Sequence, residues 1–79
     1  MTDFPTLDQA RRDARLSMTD LWLRYFAIGG TSTPLELEAY LLGALQPAQY
    51  EHNLIAHAIN EHHVERGGNH PVPYIGDAD

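Results

Sequence analysis

The sequence predicts a small all-α fold: a compact domain of three helices followed by an extended tail. Apolar residues recur at helical spacing, threonine-led capping boxes mark helix starts, and glycine pairs mark helix ends. No segment has the alternating pattern of a β-strand. The 79 residues leave room for one core, and without cysteine no disulfide can support it. We therefore expect self-association to contribute to stability.

The first helix is predicted over residues 6–28. Thr6 begins a capping box at its start, and Gly29-Gly30 ends it because glycine adopts the left-handed conformation without a clash. Ser17 also has the sequence context of a helix start, so a break near Ser17, giving four helices, stays open. Spacings of three, four or seven place these residues on one stripe: Leu7, Ala14, Met18, Leu21, Tyr25 and Ile28.

The second helix has the clearest start signal in the chain. Thr33 and Glu36 form a capping box, and Pro34 occupies the first helical position. Pro47 sets a boundary because proline disfavours a helical conformation in the residue before it. The predicted inward face consists of Leu35, Ala39, Leu42 and Leu45, widened by Leu37, Leu41 and Ala44.

The third helix is predicted over residues 47–66, and the chain then divides into a helical domain, residues 1–68, and a tail, residues 69–79. Two prolines, Pro71 and Pro73, favour an extended path for the tail. We expect the helix to bury Tyr50, Leu54, Ile55, Ala58 and Ile59, and to expose Glu51, Asn53, Asn60 and Glu61. The tail residues expected to dock on the helices are Val72, Tyr74 and Ile75.

The negative charge is concentrated in the second half of the chain. Residues 1–30 have equal numbers of aspartate and arginine, so the net charge of −6 falls on residues 31–79. This half should repel nucleic acid and anionic membranes. The start of the chain lacks the pattern of a signal peptide, and its apolar runs are far shorter than the ~20 residues of a membrane span. We expect a cytoplasmic protein.

The histidines argue against one shared metal site. His52, His57 and His62 are five residues apart, so successive side chains rotate by about 140° around the helix. Two pairs one turn apart, His57 with Glu61 and His62 with Glu65, could each supply two ligands that a dimer partner would double. Solvated side chains are the simpler interpretation. We predict no metal and no cofactor.

The sequence offers no catalytic group. Helix capping accounts for Ser17 and Ser32, and there is no cysteine. Glu36 and Glu38 diverge by about 200° on one helix, so they cannot converge on a substrate. Gly29-Gly30 follows a helix and lacks the lysine of a phosphate-binding loop. We predict that the protein is not an enzyme.

Residues 21–28 carry the strongest functional signal. They are apolar on almost every side, with Arg24 as the only charge, and a helix of this kind must be covered all round. Large aromatic side chains are favoured at interface centres. We therefore predict a protein interface at Leu21, Trp22, Tyr25 and Phe26. The alternative is that the second and third helices cover the same residues.

A basic cluster, Arg11, Arg12 and Arg15, stands beside Asp8 and Asp13, which favours a solvated, salt-bridged surface. An acidic protein or nucleic acid is the alternative partner. The third helix would be the recognition helix of a helix-turn-helix, but it carries three glutamates against one arginine. This composition argues against DNA binding by a monomer.

Several segments resemble small helical proteins of actinobacterial genomes: residues 20–26 with Gly29-Gly30, residues 33–36 with Tyr40-Leu41, and residues 56–61. The resemblance covers about two-thirds of the chain. It implies a bacterial regulatory setting and no activity or site residues. The leading prediction is a non-enzymatic protein-interaction module of a bacterial regulatory system that self-associates as a homodimer. The alternative is a small nucleic-acid-associated transcriptional regulator acting as a dimer.

Overall fold

The computed structural model describes residues 6–68 together with Val72 and Ile75. The described part contains four helices joined by loops and no strand. The helices are α1 (Leu7–Asp13), α2 (Met18–Ala27), α3 (Pro34–Leu42) and α4 (Gln49–Glu65). The Cα radius of gyration, 11.6 Å, equals the value expected of a compact chain of this length. The all-α class is confirmed, with four helices instead of three.

One continuous first helix, the favoured prediction, is wrong, and the alternative break near Ser17 is correct. Ser17 caps α2, and its Oγ accepts a hydrogen bond from the amide of Asp20 at 3.1 Å. Arg15 adopts a left-handed backbone with φ of 59°, which costs about 1 kcal/mol for a residue with a side chain. The turn carries the Leu16 side chain into the core. Burial of Leu16 and the Ser17 cap together offset the lost helical continuity.

The Gly29-Gly30 pair ends α2 as predicted, and Gly30 also has a packing role. Gly29 has a φ of 105°, which lies in the left-handed region. Gly30 is buried against the ring of Tyr25, where an added Cβ would overlap the ring atoms. The pair therefore reverses the chain and lets it pass closely over Tyr25.

The capping box of α3 is confirmed, whereas the predicted inward face is correct for Leu37 and Leu41 and wrong for three other leucines. Thr33 Oγ1 accepts from the amide of Glu36 at 3.1 Å, and Glu36 Oε1 accepts from the amide of Thr33 at 2.8 Å. Leu37 and Leu41 are the buried leucines of this helix. Three leucines assigned inward are exposed instead: Leu35, Leu42 and Leu45. Because leucine occurs on several sides of α3, its apolar pattern could not identify the buried side.

The α4 helix begins two residues later than predicted and ends one residue earlier. Ile55, Ala58 and Ile59 are buried as expected. Tyr50, assigned inward, is exposed, whereas Asn60, assigned outward, is only 1% exposed. Asn60 tolerates burial because its side-chain amide is hydrogen bonded to the main chain of Val72, so no polar atom of that amide is left unpaired.

The core forms between two helix pairs, since α1 and α2 each pack on both α3 and α4. Within the described residues, no helix combines the length and hydropathy needed to cross a membrane. The buried apolar residues are Ala10, Ala14, Leu16, Leu21, Tyr25, Leu37, Leu41, Ile55, Ala56, Ala58, Ile59 and Val72.

The predicted tail is described at only two positions. Val72 is buried in the core, and Ile75 contacts α4 through two hydrogen bonds between its main chain and the side-chain amide of Asn53. These two residues dock as expected. Tyr74, the third predicted docking residue, lies outside the described residues, and the division into a domain and a tail at residue 68 stays a prediction.

Candidate interaction surface

The four residues predicted as an interface lie on two different faces of α2. Leu21 and Tyr25 are completely buried in the core, so the folded chain does not present them to a second protein. Trp22 is half-buried and Phe26 is 58% exposed. Residues four apart share a helix face, which explains why the set divides into these two pairs. Trp22 and Phe26 are the members left on the surface.

Trp22 and Phe26 form one aromatic unit. Their rings are stacked, with centroids 5.0 Å apart and an interplanar angle of 18°. The indole Nε1 of Trp22 donates to the carbonyl oxygen of Ser32 at 3.0 Å, which fixes the orientation of the ring. Stacking and this bond hold both rings in place, so a partner would meet an ordered aromatic surface.

A groove of about 340 Å³ lies beside Trp22, between the first half of α2 and the first half of α3. Trp22 contributes both to this groove and to the aromatic pair, so the two features are continuous. We call the lining residues together with Phe26 the Trp22 surface. The lining residues are Met18, Thr19, Trp22, Pro34, Leu35 and Glu38.

Leu35 is the feature of this surface that the sequence prediction missed. It was assigned to the core, but it is 75% exposed and lines the groove. Glu38, one turn further along α3, is the acidic residue of the groove and makes no ion pair with any described residue. The surface therefore combines large apolar side chains with one negative charge, that of Glu38.

Two of the three arginines in the predicted basic cluster form ion pairs with one carboxylate, that of Asp8. Asp8 pairs with Arg11 at 2.9 Å and with Arg12 at 2.8 Å. Arg11 also donates to the carbonyl oxygen of Leu16 at 2.9 Å, which holds the turn after α1. Arg15 is exposed at the left-handed turn position. Arg11 thus has a structural role, and the nucleic-acid alternative stays a prediction without a specific observation in its favour.

A half-buried polar cluster joins α2, the loop before α3, and α4. Glu51 Oε2 accepts a hydrogen bond from the Tyr25 hydroxyl and another from the Ser32 hydroxyl, each at 2.6 Å. The amide of Ser32 donates to the Tyr25 hydroxyl oxygen at 2.9 Å. Burial, together with the bond to Glu51, raises the pKa of Tyr25. The cluster fixes the loop that carries Ser32 onto α4.

The sequence prediction for Ser32 is therefore wrong, because Thr33 is the helix cap and Ser32 binds Glu51 instead. Glu51 had been assigned outward and is half-buried. The carbonyl of Ser32 accepts from Trp22, so the same residue supports the Trp22 surface on one side and the α4 contact on the other. No local pattern could find this pairing, because Ser32 and Glu51 are 19 residues apart.

Arg24 forms a second contact between α2 and α4, through ion pairs with two glutamates of α4. Its guanidinium lies 2.8 Å from Glu65 and 3.4 Å from Glu61. The hydrogen bond with Glu65 raises the pKa of Arg24, and the same bond lowers the pKa of the Glu65 carboxyl. The only charge of the apolar stretch in α2 is thus neutralised within the chain.

The same ion pairs involve both glutamates of the predicted histidine–glutamate pairs. Glu61, the partner proposed for His57, and Glu65, the partner proposed for His62, both bind Arg24. The ring nitrogens of His62 are covered, so a metal ion has no open approach to them in this conformation. Within the part of the chain that the structure describes, no three side chains of histidine, aspartate or glutamate form a group able to hold a metal.

Comparison with protein-family models, with functionally characterised proteins and with solved structures finds no match to this chain. The resemblance to small actinobacterial proteins stays a prediction.

Proposed function

We propose that this protein is a non-enzymatic protein-interaction module that associates with a second copy of itself through the Trp22 surface. The observation that carries the proposal is the exposure of two large apolar side chains, Phe26 and Leu35, on either side of Trp22. A bacterial regulatory setting, expected from the sequence resemblance, completes the proposal.

The chemistry of the surface supports a protein partner. Apolar area removed from water contributes about 25 cal/mol per Å², and exposed Phe26 and Leu35 would gain most from being covered. Aromatic side chains in fixed orientations lose little conformational entropy on binding. The stacked Trp22 and Phe26 rings meet this condition before any partner arrives. Contiguous exposed apolar surface with a polar edge is typical of protein-binding sites.

Self-association supplies a partner with the same apolar surface. In a twofold-symmetric dimer one patch contacts its own copy, which an apolar patch can do without charge complementarity. Glu38 works against this contact, because two copies bring two carboxylates to one interface. We therefore expect a dimer that tightens as salt rises, since salt screens the repulsion between the acidic chains.

The test is the solution mass by light scattering across a range of concentrations. The variant is Leu35→Ser, and the matched control is Leu42→Ser on the same helix. Leu42 is similarly exposed, at 63%, but does not line the groove. We expect the native chain to dimerise, Leu35→Ser to weaken dimerisation about tenfold or more, and Leu42→Ser to change it by less than about twofold.

Two outcomes would contradict the proposal. A native chain that stays monomeric at every concentration, in low and high salt, would remove self-association. Equal weakening by Leu35→Ser and Leu42→Ser would show that contact between copies does not depend on the groove. Far-ultraviolet circular dichroism of each variant checks that the helices are intact, and the fluorescence of the single tryptophan, Trp22, reports directly on the surface.

A further inference from the structure

Ser32 connects the Trp22 surface to α4 through three of its own polar groups. Its carbonyl oxygen accepts from the indole Nε1 of Trp22 at 3.0 Å. Its amide donates to the Tyr25 hydroxyl oxygen at 2.9 Å, and its hydroxyl donates to Glu51 Oε2 at 2.6 Å. A continuous chain of hydrogen bonds therefore runs from the first turn of α4 to the ring that forms one wall of the groove.

Glu51 carries the α4 end of this chain through one oxygen atom. Oε2 accepts from the hydroxyls of Tyr25 and Ser32. The other oxygen, Oε1, is covered and has no hydrogen-bond partner within the described part of the chain. Hydrogen bonds to a carboxylate are shorter and about twice as strong as those between neutral groups. The two bonds made by Oε2 thus form a strong, directed link from α4 to α2 and to the loop before α3.

The capping box of α3 also acts on the Ser32 carbonyl. The amide of Thr33 shares a peptide plane with that carbonyl and donates to Glu36 Oε1 at 2.8 Å. This bond orients the plane relative to α3, but it does not set the distance from the loop to α2. The bonds of Ser32 to Tyr25 and Glu51 do set it, because they join the loop to α2 and α4.

The position of the Ser32 carbonyl matters because it fixes the indole ring. The ring of Trp22 lines the groove and stacks on Phe26, so a change in its orientation alters both parts of the Trp22 surface. A ring without its acceptor would sample more orientations, and ordering it on binding costs conformational entropy. A displaced loop would therefore lower the affinity of the surface without removing any of its side chains.

We propose that Glu51 is a positioning residue for the Trp22 surface, acting from α4 through Ser32 to hold the indole of Trp22 in the orientation that self-association requires. Glu51 is not among the residues that line the groove, which come from α2 and α3. The affinity of a surface built on two helices is thus set in part by a third. This inference rests on the proposed self-association, whose surface it concerns.

The first test measures the indole in the monomer. Every chain compared carries Leu35→Ser, which weakens dimerisation, and the single tryptophan gives one indole N–H signal in NMR spectra. We expect Glu51→Ala to move this signal towards the position of an indole without a protein acceptor. Glu51→Gln keeps an oxygen able to accept from both hydroxyls, so it should move the signal less. An unmoved signal in Glu51→Ala would overturn the proposal.

The matched control for this measurement is Arg24→Gln. It breaks the other contact between α2 and α4, the ion pair with Glu65, and leaves the bonds of Ser32 in place. We expect the indole signal of Arg24→Gln to stay at the native position. An equal shift in Arg24→Gln and Glu51→Ala would mean that any loosening of α4 disturbs Trp22, and Glu51 would then have no special part in positioning it.

The second test measures self-association by light scattering, with Leu35 restored and in high salt to screen the changes in net charge. We expect Glu51→Ala to weaken dimerisation about fivefold and Arg24→Gln to change it by less than about twofold. Ser32→Ala loses the bond to Glu51 and leaves every helix unchanged, so it decides the case if Glu51→Ala fails to fold. Combining it with Glu51→Ala should add little, since both changes break one connection.

The outcomes separate this inference from the proposed function. A native dimer that both Glu51→Ala and Ser32→Ala leave unchanged would overturn this inference alone, even if the indole signal moves. A native chain that never dimerises would overturn the proposed function itself. Weakened dimers together with a shifted indole signal, and an Arg24→Gln chain that behaves as the native one does, are the results we expect.

Discussion

The two sides of α2 contact their neighbours in different ways. Towards α4, directed bonds close the contact, with Tyr25 bound to Glu51 and Arg24 bound to Glu65. Towards α3, the helices leave a groove beside Trp22 that exposes large apolar side chains. The side of α2 towards α4, which we call the closed side, fixes how the helices pack. The side towards α3, which we call the open side, keeps apolar surface in contact with water.

This difference shows why apolar content alone does not identify a core. Leu21 and Phe26 lie in the same apolar stretch, yet one is completely buried and the other is mostly exposed. Exposed apolar area gives the monomer no hydrophobic stabilisation and becomes favourable only when something covers it. The closed side of α2 therefore contributes chiefly to folding, and the open side is available for binding.

The largest expected effect breaks the closed side. Leu21→Ala removes a fully buried side chain and leaves a cavity, so we expect the free energy of unfolding to fall by about 3 kcal/mol. Phe26→Ala is the comparison on the open side and should lower it by less than about 1 kcal/mol. Urea denaturation of the three chains, followed by circular dichroism, measures both changes. Similar losses for the two variants would show that this division of α2 is wrong.

The sequence predicted those features of the fold that depend on neighbouring residues. The capping box of Thr33 and Glu36 and the glycine end of α2 are local patterns, and both are present. The break before Ser17 was also visible, but helical spacing on both sides of it favoured continuity. Its outcome depends on burial of Leu16, which a local pattern does not reveal.

Features set by distant contacts could not be predicted in this way. Asn60 was assigned to the surface from its position in the helical pattern, whereas the partner that allows its burial, Val72, lies 12 residues later in the sequence. Leu35 appeared to be a core residue because α3 has leucine on several sides, and only its packing against α1 and α2 selects Leu37. The candidate sites lie where such tertiary contacts override local pattern.

An intermediate effect is expected from Tyr25→Phe. The change removes the hydroxyl and leaves the amide of Ser32 without its acceptor, so we expect a loss of about 1–3 kcal/mol in the free energy of unfolding. The ring and its contact with Gly30 are kept, which separates this change from a cavity. Urea denaturation at neutral pH provides the measurement.

The raised pKa of Tyr25 also predicts that the free energy of unfolding depends on pH in the alkaline range. Tyr25 has a raised pKa in the folded chain, so above its ordinary pKa of 10.0 the unfolded chain loses a proton that the folded chain keeps. Its contribution to stability is complete below 10.0 and is lost as pH rises through the folded pKa. The difference in stability between the native chain and Tyr25→Phe should shrink over this range. A constant difference would show that the hydroxyl ionises equally in both states.

The smallest effect is expected from Arg24→Gln. Its ion pairs with Glu61 and Glu65 are exposed to solvent, and pairs of this kind contribute little to stability. We expect a smaller loss than for Tyr25→Phe, and a loss that high salt removes.

Acid should remove the Arg24 effect as well. Arg24 lowers the pKa of Glu65 below its ordinary value of 4.5, so the pair stabilises the fold above 4.5 and loses this contribution as pH falls through the folded pKa. Urea denaturation of the native chain and Arg24→Gln, in low and high salt and at neutral and acidic pH, tests both conditions. A difference that persists in high salt and in acid would mean that the methylene groups of Arg24 close the α2–α4 contact by packing. Closure of that side would then depend on packing together with the Tyr25–Glu51 bond, and the Arg24 ion pairs would have no part in it.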